Sequence, residues 1–93
     1  MNKLKKNLTK NVTVTNKLGL HARPAAKLAE LAAKAKSSVW MIKNGDQVDA
    51  SSIIDILSLS CFNGSEVTLQ VEDPVDIEIL NKMVALFKKN FKE

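Results

Sequence analysis

Apolar and polar residues alternate through Asn11-Val12-Thr13-Val14-Thr15, which predicts a strand with one buried face. After a Leu18-Gly19 turn the period changes. Pro24 falls in a first helical turn, where a missing N–H is harmless, and strong helix formers run from Ala25 to Lys36. Their apolar stripe is Ala25, Leu28, Ala29, Leu31, Ala32 and Ala35. A second strand, Ser38 to Lys43, meets Asn44-Gly45, a strong hairpin signal that returns the chain as a third strand through Asp46 to Asp49. Ser51 or Ser52 can cap a short helix carrying Ile53, Ile54, Ile56, Leu57 and Leu59. Asn63-Gly64 then turns into Glu66 to Glu72, whose alternation buries Val67, Leu69 and Val71. Asp73-Pro74 opens a last helix with Asp76 in its first turn; it carries Val75, Ile79, Leu80, Met83, Val84, Phe87 and Phe91, and Lys88, Lys89 and Lys92 at its negative end.

The order βαββαβα predicts a compact α+β domain: one four-stranded antiparallel sheet with helices packed on one face. At 93 residues the chain suits one core. The expected boundaries are a flexible basic tail over residues 1–10 and a domain over residues 11–93.

Composition removes several functions. The net charge of +4 comes entirely from Lys3, Lys5, Lys6 and Lys10, because the rest of the chain carries ten basic and ten acidic side chains. The body is neutral, so nothing in its charge asks for nucleic acid. No apolar run approaches the roughly 20 residues of a membrane helix, and the first ten residues lack the apolar middle of a secretory signal. A cytoplasmic protein is expected. One cysteine, Cys61, cannot make an internal disulfide, and one histidine, His21, cannot anchor a metal cluster.

His21 lies between Gly19 and the alanine-rich helix. A helix start offers unpaired N–H groups and roughly half a positive charge, and Arg23 adds a fork of donors shaped for phosphate oxygens. Neutral imidazole attacks phosphorus without a general base. Two readings stand on spacing alone: a phosphoryl-accepting nucleophile, or an exposed residue at a helix start. No second histidine, Cys-His pair or nearby carboxylate pair offers another catalytic set.

The run Asn16-Lys17-Leu18-Gly19-Leu20-His21-Ala22-Arg23-Pro24-Ala25-Ala26 resembles the active-site signature of the HPr family, histidine phosphocarriers of the bacterial phosphoenolpyruvate phosphotransferase system. The stretch from Asn44-Gly45 to Ser51-Ser52-Ile53-Ile54-Asp55-Ile56-Leu57-Ser58-Leu59 is similar to the family's second region. The resemblance covers residues 11 to 93 and implies an HPr-like open-faced β-sandwich with three helices. It also implies that His21 takes a phosphoryl group from enzyme I, on the ring nitrogen facing the helix start, and passes it to an enzyme IIA domain. Arg23 would shield the charge, with the backbone N–H groups of Ala22 and Arg23 completing a cradle. Ile53, Ile54 and Leu57 would dock partners, one or two of them exposed, with Lys27 the nearby basic residue. Ser52 matches a serine that a dedicated kinase phosphorylates in some bacteria. The expected protein is a monomeric carrier, not an enzyme, with no cofactor or metal.

Three segments look more like NPr, the nitrogen-related branch: Asn16 to Gly19, Lys27 to Leu31 and Ala85 to Phe91. Glu30, Ala33 and Asp55 stand where sugar-transport carriers often place lysines around the histidine. Two competing readings are a regulatory paralogue without phosphotransfer and a ferredoxin-like module binding a small molecule or RNA. An intact His21-Arg23-Pro24 opposes the first; Trp40 as the single strand aromatic opposes the second.

Overall fold

Strand β4 (Glu66–Val71) organises the molecule, pairing on one edge with β1 (Thr9–Thr13) and on the other with β2 (Val39–Lys43). β2 continues to β3 (Asp46–Asp49), giving an antiparallel sheet in the order β1-β4-β2-β3. The computed structural model describes residues 8–92. Helices α1 (Ala22–Ala32), α2 (Ile53–Ser58) and α3 (Ile77–Lys88) cover one face of the sheet. Among the described residues no helix is long and apolar enough to cross a membrane.

The core forms where the alternating strands meet the helix stripes. Val12, Val39, Met41, Val67, Leu69 and Val71 are buried beneath Ala25, Leu28, Ala29 and Ala32 of α1, Ile56 of α2, and Leu80, Met83 and Phe87 of α3. Removing these side chains from water supplies the main driving force for the fold.

Several boundaries differ from the sequence expectation. β1 begins at Thr9 and Leu8 is buried, so Leu8, Thr9 and Lys10 belong to the fold and not to the tail; the remainder of the expected tail lies outside the described residues. β1 also stops at Thr13, where the regular ladder passes into the turn before β4: Val14 N–H donates to Ser65 O at 2.8 Å and Val14 O accepts from Gly64 N–H at 2.7 Å.

α1 starts at Ala22 and stops at Ala32 rather than Lys36. Tight bonds from Lys34 N–H to Leu31 O and from Ala35 N–H to Ala32 O close its last turn. The next two amides, of Lys36 and Ser37, donate to the two oxygens of Asp76 at 2.8 and 2.9 Å. Asp76 is 2% exposed. It stands at the helix start as expected, but its side chain turns inward as a buried tie between the end of α1 and the start of α3.

The last helix begins later than expected, after a 3-10 turn over Pro74–Asp76 capped by Asp73. Val75 in that turn is exposed. The helix ends at Lys88, and Phe91 is buried by a fold-back of the chain instead of by helical periodicity.

Replacing Asp76 with Ala leaves two amides without their charged acceptor, and should lower the free energy of unfolding by about 1.5–3 kcal/mol. Asp76→Asn, which keeps one acceptor oxygen, should fall between Ala and wild type in urea denaturation. Equal stability of all three proteins would contradict the tie.

Candidate functional site

The site begins with a turn that only glycine can make. Gly19 has φ +69°, and a Cβ built there would overlap Cys61 O and lie 3.1 Å from Phe62 Cα. The next amide, of Leu20, donates to the same Cys61 oxygen at 2.9 Å. The backbone before α1 is thus seated directly on the loop after α2. Asn16 closes the turn from within: its O accepts from Gly19 N–H at 3.0 Å, and its Nδ2 donates to Gly19 O.

His21 follows as the N-cap residue of α1, with extended backbone and an exposed side chain that makes no capping bond. Its carbonyl accepts the Ala25 N–H at 3.1 Å, the first closed turn of the helix. Between them lie Ala22, Arg23 and Pro24. Ala22 and Arg23 occupy the first two helical positions, whose N–H groups have no acceptor inside the helix. Pro24 has no N–H, which removes the third donor and the usual target of a capping side chain. Two amides therefore open beside an exposed imidazole, with the exposed Arg23 guanidinium in the same turn.

α2 packs against α1 and presents the expected apolar residues: Ile53, Ile54 and Leu57 are 40, 74 and 37% exposed. All three face solvent at least in part, more than expected, because the six-residue helix buries only Ile56. Ser52 is its cap, its hydroxyl accepting the Asp55 N–H at 3.2 Å. Lys43 crosses from β2 to donate to Leu59 O and Ser60 O at the other end of α2, and its Nζ lies 5.3 Å from the centre of the Phe62 ring.

Two further residues join this surface that the sequence pattern does not single out. Leu18 and Phe62 are 76 and 69% exposed and flank the Gly19 contact, extending the apolar surface beyond α2. Exposed hydrophobes gathered like this mark an interaction surface. A leucine inside a glycine turn is a readable sign; Phe62 in its loop is not. Asn90, Phe91 and Lys92 join Asn16, Lys17, Leu18, His21, Arg23 and Pro24 around an open cleft of about 470 Å³.

Two expected rim residues point elsewhere. Lys27 is half-buried, and its Nζ donates to Phe91 O at 2.9 Å. Glu30 lines a groove between α1 and α3 beside Lys27, Lys82, Lys89 and Lys92, so its charge sits among lysines. That leaves Asp55 as the acidic neighbour of the exposed α2 residues. Burial pushes the Cys61 thiol up, with Lys43 opposing in part, so Cys61 does not compete as a nucleophile near neutral pH.

Residues 8–89 match the family described as PTS HPr component phosphorylation site. The chain belongs to the HPr family of phosphocarrier proteins. It is 44% identical to the phosphocarrier protein HPr of Cupriavidus necator, over 92% of this chain and 97% of that one. To the phosphocarrier protein NPr of Escherichia coli K12 it is 37% identical, over 88 and 92% of the two chains. Among solved structures, an HPr from Thermoanaerobacter tengcongensis superposes with a TM-score of 0.85 at 36% identity, covering 91% of this chain and 96% of that one. HPr proteins are carriers of the phosphotransferase system and not catalytic enzymes.

Gly19→Ala would place a methyl group against Cys61 O and force an alanine into left-handed backbone. A loss of about 2–5 kcal/mol in unfolding free energy is expected. A urea midpoint unchanged from wild type would show that the turn does not need this approach.

Proposed function

We propose that His21 is the residue that carries the phosphoryl group. The observation that supports this best is the pair of open amides at Ala22 and Arg23 beside an exposed imidazole. In the forward step a ring-nitrogen lone pair attacks phosphorus on phosphorylated enzyme I, and the N–P bond forms as the bond to the donor breaks. The electron pair of that bond leaves with the donor, and the second ring nitrogen keeps its proton. The two amides and the Arg23 guanidinium meet the oxygens, where charge is spread in a loose transition state. The same chemistry in reverse passes the group to an enzyme IIA domain.

A carrier must release what it binds. Two backbone donors and one exposed arginine hold a phosphoryl group without enclosing it, so the partner completes the site. Ile53, Ile54 and Leu57, with Leu18 and Phe62, form the apolar docking surface in this reading, in a cytoplasmic monomer. Asp55 replaces a basic rim with an acidic one, and rim charge acts mainly on partner choice and association rate. We assign the nitrogen-type enzyme I as the preferred donor on that ground. Ser52 is the regulatory position: phosphate placed there by a dedicated serine kinase would add about two negative charges amid the docking residues and beside Asp55.

Incubation with phosphoenolpyruvate and enzyme I, followed by intact mass, should show one added phosphate that is acid-labile and absent from His21→Ala. An acid-stable adduct, or none with either type of enzyme I, would sink the proposal. Arg23→Ala should slow transfer about 10- to 100-fold at unchanged melting temperature; a large fall in melting temperature would mark Arg23 as structural. Ser52→Asp should slow charging about tenfold through weaker docking, and unaltered kinetics would remove Ser52 from the surface. Faster charging by sugar-type than by nitrogen-type enzyme I would overturn the branch assignment.

A further inference from the structure

Beyond Lys88 the chain turns back on α3 through two adjacent residues in left-handed backbone, Asn90 at φ 53° and Phe91 at φ 61°. Neither is glycine; asparagine tolerates this conformation, but for a bulky residue such as Phe91 it is unfavourable. One such residue is enough to end a helix, so a second needs support from elsewhere. That support comes from several elements. Phe91 N–H donates to Leu86 O at 2.8 Å, and its ring meets Phe87 edge to face with centroids 5.0 Å apart. Lys27 of α1 donates to Phe91 O at 2.9 Å, and Thr15, just beyond β1, donates through its hydroxyl to Asn90 Oδ1.

The fold-back sets Asn90, Phe91 and Lys92 in the wall of the cleft that contains His21 and Arg23. Among the described residues that line this cleft, Lys17, Arg23 and Lys92 are cationic and none bears a carboxylate. Strain held by surrounding contacts is a feature of functional sites.

We propose that Asn90–Lys92 form a second half of the phosphoryl site, with the Lys92 ammonium pairing with the phosphoryl oxygens on His21. The inference rests on His21 being the phosphoryl-bearing residue. Ala22, Arg23 and their helix terminus act from α1 alone; Lys92 adds a charge from a separate segment whose position is held by Asn90 and Phe91. A lysine suits the task because it is a mobile point charge on a flexible stem, without the rigid fork that would clamp the group. Its effect is to favour the charged carrier over the free one.

The test charges wild type, Lys92→Gln and Lys89→Gln with enzyme I at a fixed ratio of phosphoenolpyruvate to pyruvate, and reads the phosphorylated fraction at equilibrium. Lys89 lines the groove between α1 and α3, which Lys92 also borders, but not the cleft of His21, and so controls for net charge. Lys92→Gln should lower the charging constant about two- to fivefold at low salt, more than Lys89→Gln. The gap should close as salt screens it, and Lys92→Arg, which keeps the charge and adds the fork, should give a constant at or above that of wild type. Equal constants for the two Gln variants, or a gap indifferent to salt, would overturn the inference while leaving His21 as carrier. Failure of wild type to charge at His21 would remove both.

Discussion

The structure turns on one backbone contact: Gly19 packed against Cys61 and Phe62 with no room for a side chain. The Leu20 amide bonds to Cys61 O from the same place, so the start of α1 and the end of α2 are joined through main chain. Everything the site needs follows from that join. It sets where α1 begins, hence which amides stay open, and it brings the exposed face of α2 alongside His21. Lys43 reinforces the far side of the contact by closing the carbonyl end of α2.

Around this join the chemistry is a balance between holding and releasing. Pro24 at the third helical position limits the backbone donors to two, and His21, unlike serine or aspartate, makes no capping bond that would occupy them. The imidazole stays exposed and the donors stay open. A deeper pocket with more donors would bind phosphate well and transfer it slowly. The proposed function would account for the apolar surface too: Leu18, Ile54 and Phe62 are exposed, as a site completed by a partner would require.

Much of this is legible in the order of residues alone. The strand alternation at Val67, Leu69 and Val71, the Asn44-Gly45 hairpin and the Gly19-to-Ala26 run all rest on local chemistry, and local chemistry is what sequence carries. The departures come from long-range partners. α1 loses its last turn because Asp76, some forty positions on, accepts the Lys36 and Ser37 amides. Phe91 keeps a helical spacing yet reaches the core by left-handed backbone, and Lys27, a rim charge by its position in the chain, is turned away to Phe91 O. Asn16 is visible within the motif, but its role in closing the Gly19 turn depends on geometry that the letters do not contain.

On this account the phosphoryl group enters a site already formed, held by two amides at the start of α1. Amide ¹H–¹⁵N NMR of the protein before and after charging tests that most directly. The largest shifts should fall on Ala22 and Arg23, with Gly19, Leu20 and the Cys61 loop nearly unmoved. Dominant shifts elsewhere, or a rearranged Gly19 turn on phosphorylation, would contradict a preformed cradle.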